Sequence, residues 1–311
     1  MDAEFVFNVR KFMPAVSFII PSYNSHLTIE KTISSIFHQR SQEHIAEVIV
    51  VDSSDDDKTP EVLKKFDHHK LKIISLGQKT SPSGGRNIGA ASATGSLLCF
   101  IDSDVFLADD WLSNVLDAFN NGCRVGCGSV SVPDFQQKSA LALAQLYLQF
   151  NESLAVGETR KVKMVPACNM FVERSLFQKA GCFPDLRASE DVMLCLKIGE
   201  TDQIWFVPSA KCYHIFREDL KSYFSNQIVL GKYIIIYRRM VYGKWYYKGF
   251  WPVLLLPGFL IIKSARIKLR IMKAGGEHFM KFFFSSHLFA AGLWYWAVGF
   301  VQGCFQKDKG Q

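Results

Sequence analysis

Two aspartates one residue apart, Asp102 and Asp104, close the apolar run Leu97–Ile101 in the stretch LLCFIDSDVF. An ionised carboxylate is costly to take out of water unless a cation or a strong hydrogen-bond set neutralises it, so the pair calls for a partner. In an extended chain, side chains two apart share a side, and both carboxylates can converge on a hard divalent cation such as Mg2+ or Mn2+. Capping of the next helix, at Trp111, is expected from Asp109 and Asp110 instead. Asp52 likewise ends an apolar run, where a carboxylate can accept hydrogen bonds from a base or a ribose. Behind it, Asp55, Asp56 and Asp57 read as cap and solvent residues. Glu190 and Asp191 open a helical pattern, where the helix dipole favours negative charge. One of them can serve as a general base, which has only to reach a hydroxyl proton. Arg86, within GGRNIGAA, offers a planar donor fork for a phosphate or a carboxylate, while the small residues around it let a helix lie close to a sheet. The spacing and the Lys-Ser/Thr ending of a P-loop are absent. His214 ends a β-type run and reads as a metal ligand or as a satisfied core histidine.

Four β–α alternations position these groups. Strand patterns at Val16–Ile20, Val48–Val51, Leu71–Leu76 and Leu97–Ile101 are each followed by helical spacing: Ser25–His38, a helix through Phe66, Ser83–Ala93 and Asp109–Phe119. The alternation predicts an α/β fold with a mixed, mostly parallel sheet covered by helices on both faces. Ligands in such sheets sit at the carboxyl ends of the strands, where this chain reads PSYN, DSSDDD, GQKTSPSGGRN and DSD. Further on, strands are predicted at Val125–Val132, Cys168–Val172, Ile204–Val207 and Lys211–Phe216, and helices at Lys138–Phe150, Ser189–Ile198 and Leu220–Arg239.

The 311 residues are 49% hydrophobic, enough for a sizeable core and too many for a disordered or fibrous chain. Eight scattered cysteines without a paired CxxC spacing read as small core residues in a reducing compartment. The amino terminus, MDAEFVFNVRKFM, lacks the basic start and apolar centre of an export signal. Charge is uneven: Lys211–Gln311 holds 16 Lys and Arg against 4 Asp and Glu, and the preceding residues are net −5. A basic segment joined to an acidic body points to an anionic partner. Phe250–Ile262 and Phe282–Cys304 are apolar and rich in aromatic residues, with a basic stretch from Lys263 to Lys273 between them. The second run is just long enough to cross a bilayer and the first is not; a helical hairpin on or in one leaflet fits both. Trp245, Trp251, Trp294 and Trp296 sit where interfacial anchors do. The alternative for this tail is an oligomer interface, and its apolar context argues against nucleic acid.

In their order along the chain, IIPSYN (Ile19–Asn24), VIVVDSSDDDKT (Val48–Thr59), SGGRNIGAASATG (Ser83–Gly95), FIDSDV (Phe100–Val105), CNMFVERSLFQKAGCFPD (Cys168–Asp185) and SEDVMLCLKIG (Ser189–Gly199) resemble the motifs of family 2 glycosyltransferases with the GT-A fold. The resemblance covers roughly Val16–Arg239. It implies a metal-dependent, inverting transfer from a UDP- or GDP-type nucleotide-sugar to a hydroxyl of a glycan or lipid-linked acceptor; the basic tail with its apolar segments points to the cytoplasmic membrane face, whose anionic leaflet favours Lys and Arg there. By this resemblance Asp52 would bond the base, with Pro21, Tyr23 and Asn24 around its pocket, and Arg86 would lie near the nucleotide and diphosphate. Asp104 would bind Mn2+ or Mg2+ directly, and Asp102 would contact the ribose or a metal-bound water, with Ser103 between them. Asn169 and Met170 would sit near the donor sugar, Asp191 would be the general base, Glu190 would position acceptor or donor, and His214 would stand near the metal. The chain departs from the family at Cys168, where glycine is usual, and in EDVMLCLKIGE, which lacks the arginine of EDxDLxxR.

The organisation expected is a nucleotide-sugar-binding and catalytic domain over residues 1–215, an amphipathic helical connector over 216–248 and membrane-associated helices over 249–311. Two other functions compete with this reading. A nucleotidyltransferase on a related fold would want a glycine-rich loop after the first strand, where PSYNSHLT has none. A non-catalytic nucleotide-sugar-binding protein would have no use for an intact set of Asp102, Asp104 and Asp191.

Overall fold

The computed structural model describes residues 13–247 and 249–306, so most of the amino-terminal stretch read above lies outside the described residues. Apolar β-branched runs form β1 (Val16–Ser22), β2 (Ile45–Asp52), β3 (Leu71–Ser75) and β4 (Leu97–Ile101). They pair in parallel in the order β3-β2-β1-β4. The intervening helices are α1 (Ile29–Phe37), α2 (Lys58–Leu63) and α3 (Pro82–Ser92). After β4 come β5 (Val105–Leu107), α4 (Trp111–Asn120), β6 (Val125–Ser131), α5 (Ala140–Gln149), β7 (Arg160–Val162), β8 (Asn169–Glu173), α6 (Arg174–Lys179), α7 (Glu190–Ile198) and β9 (Ile204–His214). β8 runs antiparallel between β4 and β6, β9 is parallel to β6, and β5 and β7 lie antiparallel to β9. The result is one mixed nine-stranded sheet.

Side-chain alternation splits each central strand between two cores. Phe18, Ile20, Val48, Val50, Leu97 and Cys99 face α1, α4 and α5. Ile19, Ile49, Val51, Leu98 and Phe100 face α3, α6 and α7. On that second face α3 lies hard against β1: a Cβ on Gly89 would stand 2.5 Å from the Ile19 side chain, and one on Gly85 would stand 3.1 Å from Pro21. The glycines of GGRNIG are therefore required by packing.

The structure corrects several expectations. The two short strands foreseen at Ile204–Val207 and Lys211–Phe216 are one strand, β9, because Ser129 Oγ bonds the Pro208 carbonyl and the β6–β9 register shifts there without breaking. β5 and β7 are three residues long, too short for a periodic signal. Asp110 stands at the start of α4, but with φ −102° and ψ 7° its carboxylate makes no cap; its carbonyl instead accepts from Ser113 and Asn114.

The tail forms α8 (Leu220–Tyr242), α9 (Trp251–Lys273) and α10 (Gly276–Phe305). α8 and α10 run side by side in the same direction, with Tyr223 against Gly292, Ile228 against Gly299 and Ile235 against Gly303. Glycine here permits backbone-to-backbone approach: a Cβ on Gly231 would stand 1.9 Å from the Trp296 carbonyl oxygen. Ile267 and Ile271 of α9 and Phe282 and Phe289 of α10 join the same buried cluster as β1 and α1. Among the described residues α10 alone is long and apolar enough to cross a membrane, and 44% of its most apolar window is buried in the protein.

Overpacking a tight helix contact costs about 1–3 kcal/mol. Gly231→Ala should lose about that much unfolding free energy in a denaturant titration. Gly258→Ala, in a helix interior with nothing within 4 Å of the added methyl, should gain up to about 1 kcal/mol. Equal effects at the two positions would contradict this packing.

Candidate active site

The site lies along the carboxyl ends of β1, β2 and β4, where the fold leaves a crevice in open α/β sheets. The Asp52 carboxylate is almost wholly buried. Its Oδ1 accepts from Ser54 Oγ (2.6 Å), Ser22 Oγ (3.2 Å) and the Ser54 amide (3.3 Å), and among the described residues Oδ2 takes no bond. Pro21 and Tyr23 line the neighbouring surface, half-buried. Asp55, expected to be a solvent residue, accepts from Tyr23 Oη (2.8 Å) and Asn24 Nδ2 (2.7 Å), and those bonds hold its carboxyl below the usual range. Asn24 itself adopts the left-handed conformation, φ 50°. Lys79, which sequence reasoning passed over, sits 3.9 Å over the Tyr23 ring. Its only signal was a position in the polar loop GQKTSPSGG.

Asp102 and Asp104 are not on an extended chain, as their spacing suggested. Strand pairing stops at Ile101, and the Val105 amide bonds the Asp102 carbonyl, so the two aspartates occupy a tight turn and face different partners. Ser103 in that turn gives its carbonyl to Thr32 Oγ1 at 3.0 Å. Asp102 faces Arg86, whose Nη2 donates to Asp102 Oδ1 at 2.5 Å and whose Nη1 donates to Glu190 Oε1 at 2.8 Å. The Arg86 side chain is 4% exposed, and the two carboxylates hold the guanidinium firmly in its charged form. Of the alternatives for this fork, the carboxylate one is realised, with both terminal branches engaged. Its Nε, also buried, has no partner among the described residues.

Asp104 is 38% exposed and faces His214, with 3.7 Å between Oδ1 and Nε2. β5–β9 pairing sets this meeting: Val105 is opposite His214, and the Ile215 amide bonds the Asp104 carbonyl. His214 is stacked on Phe216 and packed on Phe150. Its Nδ1 lies 3.1 Å from the Ile215 carbonyl oxygen. That oxygen can only accept, so Nδ1 carries a hydrogen toward it, and Nε2 is the ring nitrogen that faces the Asp104 carboxylate.

Asn169 pairs with Ile101 and Met170 with Phe100, which places the start of β8 beside the turn that holds Asp102. Asn169 is fully buried, its Oδ1 accepting from Trp111 Nε1 (2.7 Å) and its Nδ2 donating to the Ser129 carbonyl (3.1 Å). Met170 is fully buried in the second core. The two side chains leave β8 on opposite faces of the sheet, Asn169 toward Trp111 and Met170 into the second core.

Ser189 occupies the cap position at the start of α7, and its left-handed φ of 69° is strained for a residue with a side chain. Glu190 is buried and tied to Arg86. Asp191 accepts from the Val192 amide at 2.8 Å. Its surroundings remove most of the water from this half-buried carboxyl, and with the adjacent Glu190 they push it up to about 7. A surface depression near Thr94, Glu173 and Arg174 lies at the opposite ends of these strands and carries none of this chemistry.

The sequence model of glycosyl transferase family 2 matches residues 17–181. Among curated proteins, glycosyltransferase AglE of Haloferax volcanii is 26% identical over 176 residues, covering 56% of this chain and 57% of that protein. The GalNAc(5)-diNAcBac-PP-undecaprenol beta-1,3-glucosyltransferase of Campylobacter jejuni is 33% identical over 113 residues, covering 35% of this chain and 36% of that one. The chain thus spans about a third to just over half the length of these relatives. Among solved structures, the mannosyltransferase PcManGT from Pyrobaculum calidifontis, in complex with GDP-Man and Mn2+, matches with a TM-score of 0.63 at 18% identity over 96% of this chain and 89% of that one. That likeness shows a shared fold.

The Asp191 carboxyl is raised in the fold above its unfolded value of about 4. Its contribution to stability is therefore full below about pH 4 and is lost as pH rises through about 7. Asp191→Asn should melt higher than the wild type at about pH 8 and at the same temperature at about pH 4. A variant no more stable than wild type at the higher pH would show that the carboxylate is not held at a cost.

Proposed function

The chain belongs to glycosyl transferase family 2, and on that premise we propose that it moves a sugar from a nucleoside diphosphate donor of UDP or GDP type to an acceptor hydroxyl, with inversion at the anomeric carbon. The observation that carries this reading is the meeting, at one end of one sheet, of a buried base-type acceptor (Asp52), an unbonded carboxylate–imidazole pair (Asp104 and His214) and a carboxyl held near neutrality (Asp191).

The nucleotide base lies against Pro21 and Tyr23 and donates to the open oxygen of Asp52; Lys79 and Asp55 fix the Tyr23 ring from its face and its hydroxyl. The residues present fit a divalent cation. An imidazole nitrogen and a carboxylate oxygen that face each other at 3.7 Å, beyond hydrogen-bond distance, are two groups that can ligate one positive ion. Among the described residues no group of three or more His, Cys, Asp or Glu gathers for a metal. Such a set suits Mg2+ or Mn2+ held by Asp104 and His214 with the remaining positions left to phosphate oxygens and water. Bound there, the ion would supply neutralisation of the charge that gathers on the leaving nucleoside diphosphate.

Asp191 accepts the acceptor's hydroxyl proton as that oxygen bonds to the anomeric carbon. The carbon–oxygen bond to the diphosphate breaks on the opposite side, and its electron pair leaves with the nucleotide. Glu190, pinned by Arg86, fixes the first turn of α7 and so aims Asp191. The acceptor side is the tail. Trp251, Leu254, Ile261 and Ile262 of α9 and Phe283 and Phe284 of α10 are exposed, with Lys268 and Lys273 also exposed among them. Such a surface suits the anionic cytoplasmic leaflet. Because α10 is pinned along α8 and α5, the hairpin lies on the membrane, and the acceptor is read as lipid-linked. The Campylobacter jejuni relative is named for a diphospho-undecaprenol acceptor.

Stabilisation by a ligand is about 2.7 kcal/mol at a hundredfold excess over Kd. Among UDP, GDP, CMP and dTDP, one diphosphate should raise the melting temperature only with Mn2+ present, and Asp104→Ala should abolish that rise. In a transfer assay Asp191→Asn should lower kcat by about 10²–10⁴. Absence of stabilisation by any nucleotide, with or without metal, would overturn the assignment.

A further inference from the structure

The tail carries a group of cations that the transfer reaction described above does not use. Lys263, Arg266 and Arg270 follow one another at spacings of three and four on α9, which places them on one side of the helix. Arg238 of α8 joins them, its guanidinium 5.8 Å from the Phe259 ring and 5.9 Å from the Tyr247 ring. The Lys263 ammonium rests 4.9 Å over the Trp296 ring and, among the described residues, makes no hydrogen bond or ion pair. Glu152 is the one carboxylate that acts on Lys263, and Arg270 already holds it at 2.5 Å while bonding Asn151 Oδ1 at 2.8 Å. Lys263, Arg238 and Arg270 thus bring three positive charges, each half-buried, within electrostatic reach of one another against the single carboxylate of Glu152, with Arg266 exposed at their edge. Burial and the neighbouring Arg238 push the Lys263 ammonium down to about 8, the response of a cation that lacks a counter-ion.

The position of this group matters. Asn151 and Glu152 directly follow Phe150, whose ring packs on His214, 5.3 Å between centroids. Through Arg270 the cations therefore border the reaction centre, while the other side of α9 exposes apolar surface. A ligand that is anionic at one end and apolar at the other, with a hydroxyl presented toward Asp191, satisfies all three features.

We propose that Lys263 and Arg266 of α9, with Arg238 of α8, form an anion site that holds the phosphate or diphosphate of a lipid-linked acceptor. The proposal rests on the transferase reading, in that the phosphate anchors the acceptor whose hydroxyl Asp191 deprotonates. Arg270 is the link that ties this group to the loop after α5, and Trp296 forms its floor.

The test uses the full chain in neutral detergent micelles with farnesyl diphosphate, farnesol and inorganic diphosphate as probes, read by tryptophan fluorescence. The same chain is assayed for flotation with phosphatidylglycerol vesicles. Farnesyl diphosphate should bind and farnesol should not. Lys263→Gln should weaken farnesyl diphosphate by roughly tenfold, the loss of one charge-assisted contact, and Lys263→Gln with Arg266→Gln should weaken it further. Inorganic diphosphate should compete. Metal-dependent stabilisation by the nucleoside diphosphate should be unchanged in both variants, which shows them folded and keeps failure at this site separate from failure of the donor site. Equal binding of farnesyl diphosphate by wild type and variants, or equal binding of farnesol, would overturn the proposal. So would loss confined to vesicle flotation, which would assign these cations to membrane headgroups.

Discussion

A single buried guanidinium holds the two halves of the site together. Arg86 reaches from α3 to Asp102 at the end of β4 and to Glu190 at the start of α7, segments separated by 88 positions in the chain. Each carboxylate alone would be expensive to keep ionised at that depth, and the fork offsets both at once. The geometry depends on α3 lying close to β1, which Gly85 and Gly89 allow. Any side chain there would lift the helix and move the fork away from its partners. The turn holding Asp104 and the helix holding Asp191 are therefore positioned by one group that does no chemistry of its own.

The rest of the fold serves the same end by ordinary strand pairing. β8 is antiparallel to β4 and uses Asn169 to lock Trp111 and β6 in place. β9 brings His214 opposite Val105 and so to Asp104. The tail helices then close the side beyond His214: α5 ends at Phe150 against that ring, and α9 fastens to the loop after α5 through Arg270. The α/β body and the tail share one apolar cluster.

The central strands were legible because runs such as VSFII and LLCFI are β-branched and apolar over a full strand length, and the carboxylates at their ends stand out against such runs. The identity of the partners was not. A guanidinium fits phosphate and carboxylate alike, so the sequence left Arg86 open between them, and the chain itself supplies the carboxylates. The spacing of Asp102 and Asp104 suggested a shared face only under the assumption of extended chain, and the end of strand pairing at Ile101 removes that assumption. The indole and carbonyl partners of Asn169 come from α4 and β6, so no pattern local to β8 announces them. The roles of Asp55 and Lys79 depend on the fold bringing separate loops together at Tyr23, which no local pattern encodes.

The most direct test of this account is the unfolding free energy of Arg86→Met, alone and combined with Asp102→Asn and Glu190→Gln. Removing the guanidinium strands two carboxylates and should cost about 3 kcal/mol, the lower end for a broken buried pair because Asp102 keeps some access to water. Neutralising both carboxylates in the triple variant should recover most of that loss. If Arg86→Met is as stable as the wild type, or the triple variant is no better than the single one, the bridge does not hold the site together and the account is wrong at its centre.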